Sequence, residues 1–287
     1  MLTKVNHRCT MKTLTLTGLI FCLLLSSQID AKVTTTATSA LTYQNKPIDA
    51  LCFFDFQGKQ SKVALNKCGL QSDHDRKLQT VDQDLIKKGY VGFDYTYTID
   101  ANTQQHGASY YKVLGKFNQA YLLYTINNSG GSGEFTALIS VKRNQDSLQI
   151  KTLVSGDRCN GGIVNPNLSG SMLSFQQNIT PFDLLEVADN NTHHIKAYDD
   201  LAACAACCLG VVNYKFDLNH LQDNPAFSSV QLNETNPDEA NTQGKYQACF
   251  NKTSSDYFTQ THKKSHDLLA MPELKKLTAL FNQHCVK

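Results

Sequence analysis

Residues 91–99 read VGFDYTYTI, and large apolar side chains alternate there with small or polar ones. A period of two residues is typical of a β-strand that buries one face. The same pattern returns at residues 135–141, after a more uniformly apolar stretch at residues 120–126. Short polar or glycine-rich turns separate these segments. The sequence therefore predicts consecutive antiparallel strands, that is, a β-meander.

Helical signals lie downstream of the meander. Residues 182–188 follow Thr180, a typical N-cap residue, and Pro181, which suits the first position of a helix. A second helix is predicted at residues 199–208, and the last one begins at Pro272. The predicted fold class is therefore α+β: an antiparallel β-meander sheet with short helices and a C-terminal helix, held together by disulfides.

Weaker patterns fill the remaining segments. Residues 50–68 are predicted to form a hairpin with its turn at residues 57–59. A turn is also predicted at residues 165–171. Short alternating stretches predict strands at residues 212–218 and 246–250.

The N-terminus has the features of a secretory signal peptide. Three basic residues, Lys4, Arg8 and Lys12, precede an apolar run at residues 14–25. This run is shorter than the roughly 20 residues that a spanning helix needs. We therefore predict a signal peptide at residues 1–31 and an exported protein of bacterial type, either periplasmic or extracellular.

The predicted mature chain is electrically balanced. Removing residues 1–31 from a chain with 27 basic and 25 acidic residues leaves equal numbers of both. A sequence-independent nucleic-acid binder needs a basic surface, so no nucleic-acid partner is expected. No stable membrane span is expected after cleavage either. A Thr-rich lead-in at residues 32–46 is predicted to precede a single mature domain at residues 47–287, with a sub-division near residue 190 as the alternative.

Cysteine usage points to an oxidising compartment. Of the 10 cysteines, Cys9 and Cys22 fall within the predicted leader. An even set remains, and in an exported chain such a set predicts disulfides. Its members are Cys52, Cys68, Cys159, Cys204, Cys207, Cys208, Cys249 and Cys285.

Spacing favours particular pairs within this set. Cys52 and Cys68 stand near the two ends of the predicted hairpin, and Cys285 lies on the apolar face of the last helix, where it can reach Cys249. The three cysteines of residues 204–208 share one face of the predicted helix, because a helix turns about 100° per residue. We expect Cys159 to pair with one of them, and Cys204 to pair with a neighbour in the same segment.

The segment Cys204-Ala-Ala-Cys207-Cys208 leaves two other chemistries open. A Cys-x-x-Cys pair can be redox-active when a helix N-terminus acidifies its first thiol. The predicted helix begins near Asp199, too early for its dipole to act strongly on Cys204. The segment could also supply zinc ligands together with Cys159 and either His193 or His194. That spacing matches no compact zinc pattern, so no metal and no cofactor are predicted.

Two glycine-containing turns are the candidate binding loops. Residues 155–162 read SGDRCNGG, in which the asparagine and glycines favour a tight turn and the aspartate can accept hydrogen bonds from local amides. Residues 127–134 read NNSGGSGE, a flexible hairpin loop that lacks the lysine of a phosphate-binding loop. The candidate binding residues are Asp157, Arg158, Asn160, Gly161, Gly130 and Gly131.

The sequence carries no catalytic signature. It contains no Gly-x-Ser-x-Gly elbow and no His-Glu-x-x-His helix, and no motif specific enough to assign a family. We expect an exported, disulfide-stabilised, non-enzymatic binding or inhibitor-like protein whose ligand is a protein, a peptide or a glycan. The alternative is an exported enzyme, either a hydrolase with an unrecognised site or a thiol–disulfide protein that uses Cys204 and Cys207.

Overall fold

The computed structural model describes residues 41–54, 60–72, 75–100, 103–189, 195–220, 224–233 and 245–286. The predicted signal peptide at residues 1–31 lies outside these ranges, as does the predicted turn at residues 57–59. The described chain consists mainly of antiparallel β-sheets with a C-terminal helix, in agreement with the predicted fold class.

The elements follow one another in a simple order. The strands are β1 (Thr42–Tyr43), β2 (Lys46–Pro47), β3 (Gln60–Ala64), β4 (Arg76–Leu78), β5 (Val91–Asp100), β6 (Thr103–Phe117), β7 (Ala120–Asn128), β8 (Phe135–Asn144), β9 (Ser147–Asp157), β10 (Ile163–Ser169), β11 (Met172–Ile179), β12 (Gly210–Asp217) and β13 (Ala226–Leu232). The α-helices are α1 (Gln83–Lys87), α2 (Pro181–Asp189), α3 (Lys245–Thr261) and α4 (Met271–Cys285).

The first large sheet is the predicted meander. It has seven strands in the order β3-β9-β8-β7-β6-β5-β4, so that β4 to β9 lie side by side in chain order. Every neighbouring pair is antiparallel. Only β3 arrives out of order, at the edge beside β9. The residues before β3 form a one-turn 3-10 helix, Ala50–Phe53, rather than the first strand of a hairpin. The predicted hairpin is therefore wrong, because β3 pairs with β9 instead.

The second sheet has four antiparallel strands in the order β10-β11-β12-β13. The predicted turn at residues 165–171 is wrong, since β10 runs through most of it and the chain reverses after Ser169. The register of β10 shifts between Val164 and Asn167, on either side of Pro166. Proline lacks an amide hydrogen and is tolerated at such irregularities of edge strands. The proline and the asparagines of this segment are also typical of turns, and for this reason its composition resembled a turn.

Alternating side chains of the strands divide the interior into three parts. On β7, Leu123 packs against the N-terminal segment around Phe53, whereas Leu122 faces the four-stranded sheet and packs near Phe175. The inner face of the four-stranded sheet continues past this contact and packs against α2, α3 and α4. The two sheets therefore share one core, and the helices cover the far end of the second sheet.

Two predictions in the C-terminal half are wrong. Residues 246–250 belong to α3, whose buried residues Phe250, Thr253 and Tyr257 recur at helical spacing. Residues 199–208 are not helical: a 3-10 turn ends at Asp200, and the chain then runs irregularly to β12. The amide of Ala202 donates to the side chain of Gln247 on α3 instead of to a helical carbonyl (2.9 Å).

Candidate functional site

The floor of the candidate site is part of the seven-stranded sheet. One face of this sheet is covered by the N-terminal segment, residues 41–54, which buries aliphatic side chains such as those of Leu123 and Ile150. Beyond Phe53 and Phe54 no described residue covers the same face, and polar side chains such as Thr125 and Asn127 lie there beside apolar ones. The resulting cavity, termed here the open groove, has a volume of about 430 Å³. Its lining residues are Phe53, Phe54, Thr125, Asn127, Phe135, Thr136, Ala137, Ile139, Thr152, Ser155, Gly156, Asp157 and Asn160.

The change from apolar to polar occurs at the same level on neighbouring strands. Along one face of β7 the residues are Leu123, Thr125 and Asn127, and the pair of Asn127 across the sheet is Ser109 on β6. Ser109 Oγ donates to Asn127 Oδ1 at 2.7 Å in the buried floor. This bond fixes the orientation of the amide through its Oδ1 and does not use its Nδ2 donors.

Two aromatic positions frame the groove. Phe53 packs edge-on against Tyr111, with ring centroids 4.7 Å apart, and closes the end beside the N-terminal segment. Phe135 begins β8 at the other end and is 43% exposed, which is high for a phenylalanine. A ligand that covers Phe135 would remove apolar surface from water.

The turn after β9 forms the acidic rim of the groove. Asp157 accepts a hydrogen bond from the amide of Glu134 (Oδ1, 3.0 Å), and Arg158 donates its amide to the carbonyl of Glu134 (3.0 Å). These bonds join the turn to the β7–β8 loop that contains Gly130 and Gly131. The two predicted binding loops therefore lie side by side at one end of the sheet.

Close backbone packing holds this turn in place. A Cβ on Gly156 would lie 2.0 Å from the carbonyl carbon of Gly161, and a Cβ on Gly162 would lie 2.1 Å from the carbonyl oxygen of Arg158. No side chain larger than hydrogen fits at either position. The amide of Gly161 also donates to the carbonyl of Asn178 on β11 (3.1 Å), which ties the turn to the second sheet.

The candidate binding residues fall into three groups. Asp157 and Asn160 line the open groove. Arg158 and Gly161 belong to the same turn without lining it, and the guanidinium Nε of Arg158 lies 3.5 Å from Asp157 Oδ1. Gly130 and Gly131 have positive φ angles of 105° and 72°, and Gly131 has open space around it.

Sequence reasoning missed the floor of the groove. Thr125 and Asn127 were assigned only to a strand and to the turn after it, and Ser109 was not considered. The signal that could have revealed the floor is found only by comparing adjacent strands. On β6 and β7, the positions that face the groove become polar at the same end, at Ser109 and Asn127. Such a change is unfavourable in a closed core and therefore indicates an opening.

The eight cysteines among the described residues are all paired. The bridges are Cys52–Cys68, Cys159–Cys208, Cys204–Cys207 and Cys249–Cys285. The predicted pairing is confirmed in each case, although residues 204–208 are not helical. Cys159–Cys208 joins the turn at the groove rim to the segment that leads into β12.

Buried tyrosines near the sheet are held in their neutral form. Burial, together with Asp94, which accepts from the hydroxyl at 3.0 Å, raises the pKa of Tyr110 to about 12. Burial also raises the pKa of Tyr111, whose hydroxyl has no hydrogen-bond partner among the described residues. These phenols therefore act as packing and hydrogen-bonding groups rather than as bases at neutral pH.

Comparisons with protein-family models, with curated proteins and with solved structures found no significant match to this chain. Within the described ranges, no three His, Cys, Asp or Glu side chains converge as a metal site would require. The described helices include none with the length and apolarity needed to cross a bilayer.

Proposed function

We propose that this chain is an exported, disulfide-stabilised, non-enzymatic binding protein whose ligand occupies the open groove. The observation that carries the proposal is a cavity over the end of the sheet face that no described residue covers, beside the part that the N-terminal segment buries. Ser155, Asn160 and the nearly buried side chains of Thr125 and Asn127 line the cavity there, next to the exposed ring of Phe135. Grooves with a few convergent polar groups beside apolar walls are the usual form of ligand sites.

The chemistry of the lining favours an uncharged, hydrogen-bonding ligand. Among the described residues that line the groove, Asp157 is the only charged side chain. Hydroxyl and amide groups both donate and accept, so they match the hydroxyls of a glycan or the backbone of a peptide equally well. Among the described residues that line the groove, no histidine and no second acid accompanies Asp157, which supports binding rather than acid–base hydrolysis.

Export is supported by two independent features of the chain. The basic and apolar pattern of residues 1–25 is typical of a signal peptide, and disulfides persist mainly in oxidising compartments. N-terminal sequencing of secreted material tests this part. We expect the mature chain to begin near Lys32, and an intact N-terminus in a membrane fraction would contradict it.

Titration of the isotope-labelled mature chain tests the groove. The probes are a panel of neutral oligosaccharides and a panel of uncharged peptides, each followed by amide chemical shifts. We expect one panel to shift the signals of Thr125, Asn127 and Asn160 in a saturable manner. Shifts confined to other surfaces, or none with either panel, would contradict the proposed site.

Phe135→Ala is the matching variant. It removes the exposed ring from the groove and should weaken binding of the active probe by about tenfold, the equivalent of roughly 1.4 kcal/mol. The control is Met172→Ala, because Met172 is similarly exposed (39%) but lies on β11, away from the groove. Equal loss in both variants would argue against the groove.

A further inference from the structure

Three residues that line the open groove are partners across adjacent segments of the sheet. Phe135 on β8 pairs with Asp157 at the end of β9, and Asp157 pairs in turn with Asn160 beyond a two-residue turn. Directly opposed residues of an antiparallel pair point to the same face, with Cβ atoms about 5 Å apart. An aromatic ring, a carboxylate and a carboxamide therefore stand side by side over the groove, and we term these three residues the rim row.

The ring of Phe135 is held close to the β7–β8 loop. A Cβ on Gly133 would lie 2.8 Å from Cε2 and 3.2 Å from Cζ of this ring, so the ring packs against the loop backbone at a position that only glycine allows. Phe135 is nevertheless exposed and lines the groove. The rim row thus presents part of a flat apolar surface to a ligand.

The polar pair of the rim row is also held in place. The amide of Asp157 donates to the carbonyl of Asn160 (3.0 Å), and the amide of Asn160 donates back to the carbonyl of Asp157 (2.7 Å). The Asp157 carboxylate accepts from the amide of Glu134 (3.0 Å), and Cys159 between the two residues is bonded to Cys208. These contacts position the pair before a ligand binds, which lowers the entropy cost of binding.

The rim row has little net charge. The guanidinium Nε of Arg158 lies 3.5 Å from Asp157 Oδ1 and offsets the charge of this carboxylate. An ionised carboxylate only accepts hydrogen bonds, whereas the carboxamide of Asn160 both donates and accepts. The row therefore suits an uncharged group that carries a donor and an acceptor next to each other, beside an apolar surface.

Neighbouring hydroxyls of a sugar ring fit this description. Each hydroxyl can donate and accept a hydrogen bond. The C–H groups on one face of a pyranose form an apolar surface, which loses contact with water when it packs on an aromatic ring. A peptide bound by strand addition would instead need free backbone groups at a sheet edge. The rim row consists of side chains on a sheet face, and this favours the sugar.

We propose that the rim row binds one pyranose unit of a neutral glycan, an assignment that rests on the function proposed above. The apolar face of the sugar packs on Phe135. One hydroxyl donates to the carboxylate of Asp157, and the adjacent hydroxyl accepts from Nδ2 of Asn160. Recognition thus combines one aromatic contact with two side-chain hydrogen bonds.

Titration of the isotope-labelled mature chain with linear tetrasaccharides of glucose, mannose or galactose tests the assignment. The matched control is sorbitol, which has the hydroxyls but no ring face. We expect saturable amide shifts at the rim row with one tetrasaccharide, and none with sorbitol at the same concentration. Equal shifts with sorbitol would overturn the assignment. Binding of an uncharged peptide but of no saccharide would overturn it and leave the proposed function in place, whereas saccharide binding at another surface would overturn both.

Two substitutions at residue 135 test the aromatic contact. Phe135→Tyr keeps a flat ring and should change the Kd of the active tetrasaccharide by less than about twofold. Phe135→Leu keeps apolar surface but has no ring, and it should weaken binding by about fivefold. Equal affinity of the two variants would show that no sugar ring packs on this position.

The hydrogen bonds are tested at Asn160, whose side chain is exposed, so that its substitution should not disturb the fold. Asn160→Asp removes the donor and adds a second carboxylate, and it should weaken binding by about tenfold. The control is Asn167→Asp, because Asn167 is likewise exposed but lies on β10 and does not line the groove. Urea unfolding establishes that both variants are folded. Equal affinity of Asn160→Asp and the unmodified chain would overturn the assignment.

Discussion

The two sheets of this protein are built in different ways. The strands β4 to β9 of the seven-stranded sheet follow one another without interruption, and each pairs with its neighbour in sequence. In the four-stranded sheet, β11 and β12 are adjacent in space, but along the chain α2, a 3-10 turn and the irregular residues 201–209 lie between them. Apart from β3 at its edge, the first sheet is thus assembled from pairs of consecutive strands, whereas the centre of the second sheet depends on the long-range pair β11–β12.

This difference has a thermodynamic consequence. Local pairing closes short loops, each at a small cost in chain entropy, whereas distant pairing orders many residues before any contact forms. Three of the four disulfides, including the sheet-bridging Cys159–Cys208, involve cysteines from the C-terminal half. Covalent links are therefore concentrated where local sequence contributes least to the fold.

The largest expected effect comes from the disulfide between the two regions. Replacing both Cys159 and Cys208 by Ser should lower the free energy of unfolding by about 4 kcal/mol in the chain-entropy model, because the bridge closes a long loop. Replacing both Cys204 and Cys207 should cost less than about 2 kcal/mol. Urea unfolding of both variants measures the difference, and equal losses would contradict the structural contrast drawn here.

Paired core truncations test whether the two regions unfold together. Leu123 in the first sheet and Leu277 on α4 are both fully buried. Each Leu→Ala variant should lose about 3 kcal/mol, from lost apolar burial and the cavity that remains. We expect one transition in both variants, because the sheets share a core; two separate transitions, each shifted by only one variant, would show independent units.

Two buried tyrosines allow a finer comparison. Tyr124 donates its hydroxyl to the carbonyl of Ile163 (2.6 Å), a contact between the sheets. Tyr124→Phe should cost about 1–2 kcal/mol, because it leaves that carbonyl without its partner. Tyr111→Phe should be neutral or slightly stabilising, because its hydroxyl is buried without a partner. Chemical denaturation measures both, and a larger loss for Tyr111→Phe would contradict the assigned hydrogen bonds.

The smallest effect concerns pH at the start of α4. The Lys263 side chain, followed by the amide of Ala270, lowers the pKa of Glu273. A carboxyl whose pKa is lower in the folded state stabilises the fold above its unfolded pKa of about 4.3, and this contribution is lost as pH falls through the folded value. The pair is exposed, so the effect should be small.

A pH series of unfolding measurements isolates this contribution. The wild-type chain should lose slightly more stability on acidification than Glu273→Gln, which carries no titrating group at this position. The control is Asp256→Asn in the exposed Lys252–Asp256 pair of α3. Identical acid sensitivity of wild type and Glu273→Gln would show that the ion pair contributes nothing.

The candidate site was only partly accessible from the sequence. Asp157 and Asn160 stood out because they belong to a turn rich in residues typical of turns, SGDRCNGG at residues 155–162, and both line the open groove. Asn127 and Ser109 did not, because each lies within a strand and gains its meaning from the partner across the sheet. Cross-strand pairs become visible only once the register is known.

The sequence by itself determined the elements whose side chains repeat over a long span. The strict alternation at residues 91–99 and the apolar face of α4 need no distant partner to be recognised, and the β-meander and the C-terminal helix were predicted correctly. Spacing also predicted the pairs Cys52–Cys68 and Cys249–Cys285, whereas the partner of Cys159 within residues 204–208 was left open.

Only the tertiary structure decided the short and irregular segments. Residues 246–250 became part of a helix because Phe250 and Tyr257 pack on the helical core, and residues 203–208 remained irregular between two disulfides. The local preference of five or six residues is too weak to outweigh such contacts. The first turn of a helix fixes the dihedral angles of several residues and gains only one hydrogen bond, so a short helix is not stable on its own. The open groove likewise depends on which part of the sheet the described N-terminal residues 41–54 cover, and this is set by tertiary contacts rather than by a local sequence pattern.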